Sequence, residues 1–407
     1  MTKARIIADY AGTGATTDLA TQAELNAVST VANAALPKAG GTMTGDLVPA
    51  TPMSHRNIVI NGAMKIAQRG TQEHPVDTTN YSACDRFQVH NRTAGTCDTY
   101  SDSESPDDKG FNNSLKVDIT NASDLSTTDN ESVIGTYFEG QDLQQIRKGT
   151  SEALPLTLSF WVRSPKTGIH IVELYDFDSS TQRFVSAPYT ISTADTWQFV
   201  THTFPADTAS GKEFDNDNAK SLGIQWWLCA ASDFTSGTLD QTWRDEASNS
   251  NRAVGQVNVF DNASNNFYIT GVQLELGSSA TPFEHRSYAE ELTRCRRYYY
   301  VIAGDLDHTG NEAFANVSVY HTNLTYFSIG FPVKMRSTPT FEQVTGTDYY
   351  MYYASGNSHG VTGFDTALAS PNYIRLKNAS GSLPGTTYGG WWQTNVADSF
   401  LAVSAEL

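Results

Sequence analysis

Between residues 57 and 288, apolar and polar positions alternate in short runs separated by Asn, Asp, Gly and Ser. In one run Leu156, Leu158, Phe160 and Val162 take every second place, which predicts a strand with those four side chains on one face. Runs at 168–174, 196–204, 221–228 and 267–276 are of the same kind, with no helical period between them. Strands in regular succession without intervening helices predict a β-sandwich or jelly roll and argue against a parallel α/β sheet. After a short helical stretch at 289–299, preceded by Pro282 and Ser287, the β character returns at 315–321, 324–330, 347–353 and 373–377. The helix reads as a bridge into a second, smaller β domain.

Residues 1–50 differ: they are rich in small side chains and contain no Trp or Phe. Asp18 can cap a helix running to about Ala35, with Leu25, Val28, Ala32 and Ala35 at 3-4-3 spacing on one face. So thin an apolar seam is marginal for a lone helix and makes sense if identical helices pair along it. Pro37 ends the helix, and Gly40-Gly41 allows a tight turn into an extended segment. The expected organisation is an N-terminal segment with a short self-pairing helix (1–50), a jelly-roll domain (51–290) and a C-terminal β domain (291–407).

Composition narrows the partners. The 407 residues carry 44 acidic and 27 basic side chains, a formal net charge of −17. That sign disfavours coating nucleic acid or adhering to an anionic membrane. The first residues lack the apolar core of a secretory signal, and no window reaches the length of a spanning helix, so a soluble chain with no membrane insertion is expected. Four cysteines without a C-x-x-C pair suggest buried free thiols, with a Cys84–Cys97 bridge as the alternative.

Catalytic constellations are absent from the sequence: there is no G-x-S-x-G, H-E-x-x-H or P-loop, and Gly12-Thr-Gly14 lacks the third glycine of a dinucleotide loop. No catalytic residue, metal ligand or cofactor is assigned. Asp215-Asn-Asp217-Asn218 opens like a calcium loop, but an EF-hand is excluded, because the sixth position is not Gly and the twelfth is Trp226. A looser calcium site near Asp215 and Asp217, or at Asp176 and Asp178, stands beside the reading of plain polar turns. Glu173 and Glu275 fall on predicted strands and read either as groove carboxylates or as ordinary strand-face residues.

The aromatics, 11% of the chain, admit two readings. One is core plus subunit contact. The other is a carbohydrate-binding platform formed by Trp226, Trp227, Tyr350, Tyr352, Trp391 and Trp392, since each adjacent Trp pair on a strand must send one ring outward. Tyr298-Tyr299-Tyr300 beside Arg294, Arg296 and Arg297 predicts an interdomain clasp of guanidinium on aromatic faces.

Several segments resemble tailed-bacteriophage tail fibres and related virion appendages. These are LPKAGGTMTGDL (36–47), NIVINGAMKIAQRGT (57–71) with Asp85-Arg86-Phe87, TGVQLELG (270–277), ATPFE (280–284) and ELTRCRRYY (291–299). The strands LTLSFWVRS and DTWQFVTHTF resemble those of jelly-roll carbohydrate-binding modules, and FPVKMRSTPTF (331–341) is similar to a C-terminal domain that often follows. The resemblance implies a homotrimeric virion protein, assembled in the host cytoplasm, with Leu25, Val28, Ala32 and Ala35 as trimerisation positions. It implies that 1–50 is an attachment segment in contact with other virion proteins, and that the β domains face a host-surface glycan. A capsid-attached head fibre or adaptor with a structural role, and a tail-associated glycan depolymerase, are the competing expectations. A non-enzymatic fibre is the leading one.

Overall fold

The chain divides into two compact units, residues 1–50 and 51–407. The computed structural model describes Asn26 and residues 54–407, apart from 72–73, 77, 182, 245–247, 305–309, 322, 355, 380–382 and 384–388. The expected seam of Leu25, Val28, Ala32 and Ala35, and the segment 36–47, lie outside the described residues.

The alternation read from the sequence builds the first half of the second unit. Its strands are β1 (His74–Val76), β2 (Thr79–Tyr81), β3 (Gln88–Asn91), β4 (Thr96–Asp102), β5 (Ser114–Asn121), β6 (Glu131–Glu139), β7 (Leu156–Arg163), β8 (Gly168–Asp176), β9 (Arg183–Ile191), β10 (Gln198–Phe204), β11 (Lys220–Ala230) and β12 (Asn266–Leu276). They form two six-stranded antiparallel sheets, in the orders β1-β4-β5-β12-β7-β10 and β2-β3-β6-β11-β8-β9. The chain passes back and forth between the sheets, giving a jelly-roll sandwich.

Inward residues of both sheets share one core. Phe160 of β7 meets Trp226 of β11 edge-on at 5.7 Å and Tyr189 of β9 at 5.3 Å. Leu156, Leu158, Phe160 and Val162 all point into that core, as their spacing predicts. Each such large side chain removed from water contributes about 1.5–3 kcal/mol. All four cysteines are buried free thiols.

A short helix, α1 (Ser232–Thr235), follows β11, and a second, α2 (Tyr288–Cys295), follows β12. The Ser287 hydroxyl caps α2 by accepting from the Glu290 N–H, and Arg294 pairs with Glu290 one turn earlier at 3.0 Å. Beyond it come β13 (Tyr299–Ala303), β14 (Ala313–His321), β15 (Leu324–Gly330), β16 (Thr340–Gln343), β17 (Tyr350–Ala354), β18 (Asn357–Val361), β19 (Phe364–Ser370), β20 (Tyr373–Asn378), β21 (Gly389–Thr394) and β22 (Leu401–Ser404). They pair as a three-stranded sheet, β13-β22-β16, and a seven-stranded sheet, β18-β17-β21-β14-β15-β20-β19. A separate core, with Tyr350, Tyr352, Phe364 and Trp392 at its centre, fills the space between them. No helix among the described residues is long and apolar enough to cross a membrane.

The predicted clasp exists, but with different arginines. Arg86 lies 3.5 Å from the Tyr298 ring centroid and Arg69 lies 3.6 Å from that of Tyr299. Only Arg296 of the expected three stacks on the Tyr298–Tyr300 run, at 5.6 Å from the Tyr300 centroid. The reason is directional. Leaving α2, Arg297 turns back to the carboxylate of Glu139, so the tyrosines are left to guanidinium groups arriving from residues 69 and 86. Arg69 and Arg86 also pair with Glu406, which closes the clasp from the far end of the chain.

Candidate functional site

The outer face of the second sheet is only partly covered. Phe234 and Ala253 pack over Val133, Ile171 and Trp227, making a small satellite core there. The rest of the face stays open as a hollow of about 440 Å³ lined by Gln88, His90, Tyr137, Tyr175, Phe177, Lys220, Gln225 and Arg252.

Strand register assembles it in rows. Gln88 of β3 stands opposite Gly135 of β6, which faces Gln225 of β11, which faces Glu173 of β8. The adjacent row runs Tyr137, Gly223, Tyr175, Phe184 across β6, β11, β8 and β9. One row is polar, with two amides and a carboxylate; its neighbour is aromatic.

The two glycines decide how the aromatic row lies. A Cβ on Gly223 would stand 2.8 Å from the Tyr137 Cδ1 and 3.0 Å from the Phe177 Cε2, and a Cβ on Gly135 would strike the Tyr137 hydroxyl. Tyr137 therefore lies down over both glycines, with its hydroxyl 3.5 Å from the Gln225 amide nitrogen. Phe177 meets it edge-on at 5.6 Å, and Tyr175 packs on Phe177 at 4.7 Å.

Cations frame the floor. Lys220 holds its ammonium 3.9 Å from the Tyr137 centroid and 4.6 Å from that of Phe177. Burial, with Arg336 nearby, lowers its pKa from the ordinary lysine value. Arg252 sits between Tyr175 and Trp227, at 4.8 and 4.9 Å, forks onto Glu173 and donates to the Gln225 amide oxygen at 2.8 Å. Burial pushes the Glu173 carboxyl above the usual carboxylate range, even with that guanidinium against it. At the opposite rim His90 bridges the Thr79 hydroxyl, at 2.6 Å, and Glu131, at 3.4 Å.

The six sequence-predicted rings fare differently. Trp226, Trp227, Tyr350, Tyr352 and Trp392 are fully buried, and Trp391 is 43% exposed. Burial closes the first five to any ligand. Trp226 belongs to the sandwich core and Tyr350, Tyr352 and Trp392 to the second core. Trp227 does face outward from β11, as alternation requires, but Phe234 covers it at 5.2 Å. The rings that line the hollow, Tyr137, Tyr175 and Phe177, escaped the sequence reading. A signal was present: Gly135-x-Tyr137 and Gly223-x-Gln225 place a glycine beside a ring or amide on strands that prove adjacent.

The carboxylates weighed from the sequence have specific partners. Glu173 is fully buried against Arg252 and does not line the hollow, whereas Glu275 accepts from the Thr281 N–H at 2.8 Å and its hydroxyl at 2.6 Å, fixing the segment after β12. Asp176 takes the Lys148 ammonium at 2.7 Å, and its other oxygen accepts from the N–H groups of Asp178 and Ser179. Asp217 accepts from the Ala219 N–H, and the Asp215 N–H donates to Asp178. Among the described residues no group of three or more His, Cys, Asp or Glu side chains gathers around a common point.

No family model matches this sequence, and no curated protein matches it. Solved structures similar to it include the enzymatically active domain of tailspike protein 4 of bacteriophage CBA120, at 13% identity and a TM-score of 0.27, over 54% of this chain and 21% of that one. The match thus takes in about a fifth of the tailspike's length. A family 11 carbohydrate-binding module from Clostridium thermocellum, solved with a mixed-linked tetrasaccharide, matches at 11% identity and 0.25, over 53% of this chain and 99% of that one. A family 22 carbohydrate-binding module of the same organism matches at 8% and 0.30, over 56% and 100%.

Proposed function

We propose that this chain is a phage virion fibre or short appendage protein that binds a cell-surface glycan in the hollow on the outer face of the second sheet. The observation that carries the glycan half is the pair of amides, Gln88 and Gln225, lining the hollow beside the rings of Tyr137 and Tyr175. A pyranose has a rim of hydroxyls and two faces of C–H bonds. The amides suit the rim, and the electron-rich ring faces suit the C–H bonds. Arg252, already anchored on Glu173, holds Gln225 in one orientation before any ligand arrives.

The virion half is supported by the resemblance of segments 36–47, 57–71, 270–277, 280–284 and 291–299 to phage appendage modules. In this reading residues 1–50 attach to other virion proteins and trimerise through Leu25, Val28, Ala32 and Ala35. Three copies would then multiply weak single-site binding by valency. A head fibre with a purely structural role has no use for an open hollow lined by rings and amides, so the receptor reading is preferred.

Binding without cleavage is part of the proposal. A glycosidase needs one carboxyl poised to give a proton and a second to activate water or attack the sugar. Here Glu173 is tied to Arg252, and Glu131 lies between His90 and Arg92 at 3.4 Å from each.

The test is an array of bacterial surface polysaccharides probed with the full chain, followed by Tyr175→Ala and Gln225→Ala. Each variant is expected to keep the fold and weaken binding by about tenfold. Undiminished binding by both would sink the groove assignment. New reducing ends in the bound polysaccharide would overturn the non-enzymatic reading.

A further inference from the structure

The seven-stranded sheet of the second β domain has its own exposed face, built by the same alternation that buries its core. Val317, Val319, Phe327, Tyr350, Tyr352, Ile374, Leu376 and Trp392 point inward. Their neighbours in sequence therefore point outward. Tyr353 of β17 stands opposite Trp391 of β21, and Trp391 stands opposite Asn316 of β14. The two rings are stacked, with centroids 5.5 Å apart and planes inclined by only 13°.

Two strands further on lies a second aromatic station. It is built by Tyr326 of β15 and by Tyr320, 75% exposed, from the far end of β14; the two rings meet edge-on at 5.7 Å, with Arg375 of β20 at 5.8 Å from the Tyr326 centroid. Between the stations the outward side chains are Asn316 and Ser318, both exposed. Ser318 stands opposite Gly389, where a Cβ would have nothing within 4 Å, so the surface stays low between the rings.

From this face we infer a second saccharide-binding platform, for an extended polysaccharide lying across the strands over Tyr353 and Trp391, then Asn316 and Ser318, then Tyr326 and Tyr320. Ring faces at both ends with small hydroxyl and amide side chains between them match a polymer that alternates C–H faces and hydroxyls. A folded protein partner would instead be expected to meet a larger continuous apolar patch. The platform goes beyond the sandwich hollow: it stands on another sheet with another core, and the two are tested separately.

The test is affinity electrophoresis of the full chain through native gels containing dextran, mannan, galactan, mixed-linkage β-glucan or polysaccharide extracted from bacterial envelopes. In gels that retard the native chain, Trp391→Ala and Tyr353→Ala are each expected to weaken apparent affinity by about threefold to tenfold. Trp391→Phe should retain most of it, and Trp391→Ala combined with Tyr175→Ala should abolish retardation. Because Trp391 is half exposed, Trp391→Ala should keep the native circular dichroism spectrum. Native-like retardation of both single variants, with Tyr175→Ala impaired, would overturn the platform and leave the hollow standing. Loss on Trp391→Ala with Tyr175→Ala unaffected would support the platform and remove the hollow. Failure of every gel to retard the native chain would overturn both.

Discussion

Arg297 forks onto both carboxylate oxygens of Glu139, Nε to Oε1 at 2.7 Å and Nη2 to Oε2 at 2.6 Å, although 158 residues separate them. The Tyr298 hydroxyl donates to the same carboxylate at 2.6 Å. Glu139 ends β6 of the sandwich, and Arg297 leaves α2 for the second β domain, so one buried carboxylate joins the two halves. Burial raises its pKa, but the guanidinium and the hydroxyl outweigh that and hold it below the usual range. Arg297→Ala would leave that charge without its ionic partner, at a cost of about 3 kcal/mol. The native chain should unfold in one denaturant transition and Arg297→Ala at lower denaturant. An unchanged midpoint would show that the pair adds nothing.

Gly223→Ala separates the shape of the hollow from the stability of the sheet. The added methyl group would press on Tyr137 and Phe177. Tyr137 should lift from the floor, with binding weakened by about tenfold or more while the melting temperature falls by only a few degrees. Tyr137 and Gly223 are paired, so Gly223→Ala should cost less in a Tyr137→Ala background, where only its contact with Phe177 remains, than in the native chain. Additive losses in that double-mutant cycle would contradict the contact.

His170 gives the sandwich an acid limit. It is buried on β8, stacked on Tyr189 at 5.6 Å, with Nε2 3.0 Å from the Lys166 carbonyl oxygen. Burial pulls its pKa from 6.5 down to about 4. The unfolded chain therefore binds a proton that the folded chain refuses. Stability is complete above pH 6.5, declines as pH falls below that value, and has lost about 3 kcal/mol once pH passes 4. Denaturant unfolding at pH 7 and pH 4.5 should show most of this loss in the native chain and a smaller one in His170→Gln. Equal losses would remove His170 from the account.

The trimer is tested without truncation. Leu25→Asp combined with Val28→Asp should convert a full-length trimer into monomers by light scattering, with circular dichroism from the β domains preserved. A native chain already monomeric at micromolar concentration would end the trimer proposal.

Where one face of a strand is buried by partners in its own sheet stack, the sequence was enough to read it. Leu156, Leu158, Phe160 and Val162 point inward as their spacing demands. The same rule, one ring in and one out, correctly separates Trp391 from Trp392. It misleads at Trp227, which does point outward but is roofed by Phe234, because the chain leaving β11 doubles back over that face at α1, a reversal that alternation within the strand does not encode. On the strand expected at 347–353, Tyr350 and Tyr352, expected on a binding platform, take the inward places, and Tyr353 takes the outward one. The hollow was illegible for a different reason. Its rows draw on β3, β6, β11 and β8, and pairing of β6 with β11 joins residues some 90 apart, which alternation within a strand does not encode. The clasp tyrosines were readable, but their arginines come from residues 69 and 86, more than 200 positions earlier.

The place of β12 has a mechanical consequence. The chain leaves the sandwich through this strand, which is bracketed by β5 on one side and β7 on the other. A pull transmitted from the second β domain therefore enters the sheet along an interior strand held by hydrogen bonds on both flanks. Those bonds bear the load together in shear, whereas an edge strand would be peeled away one bond at a time.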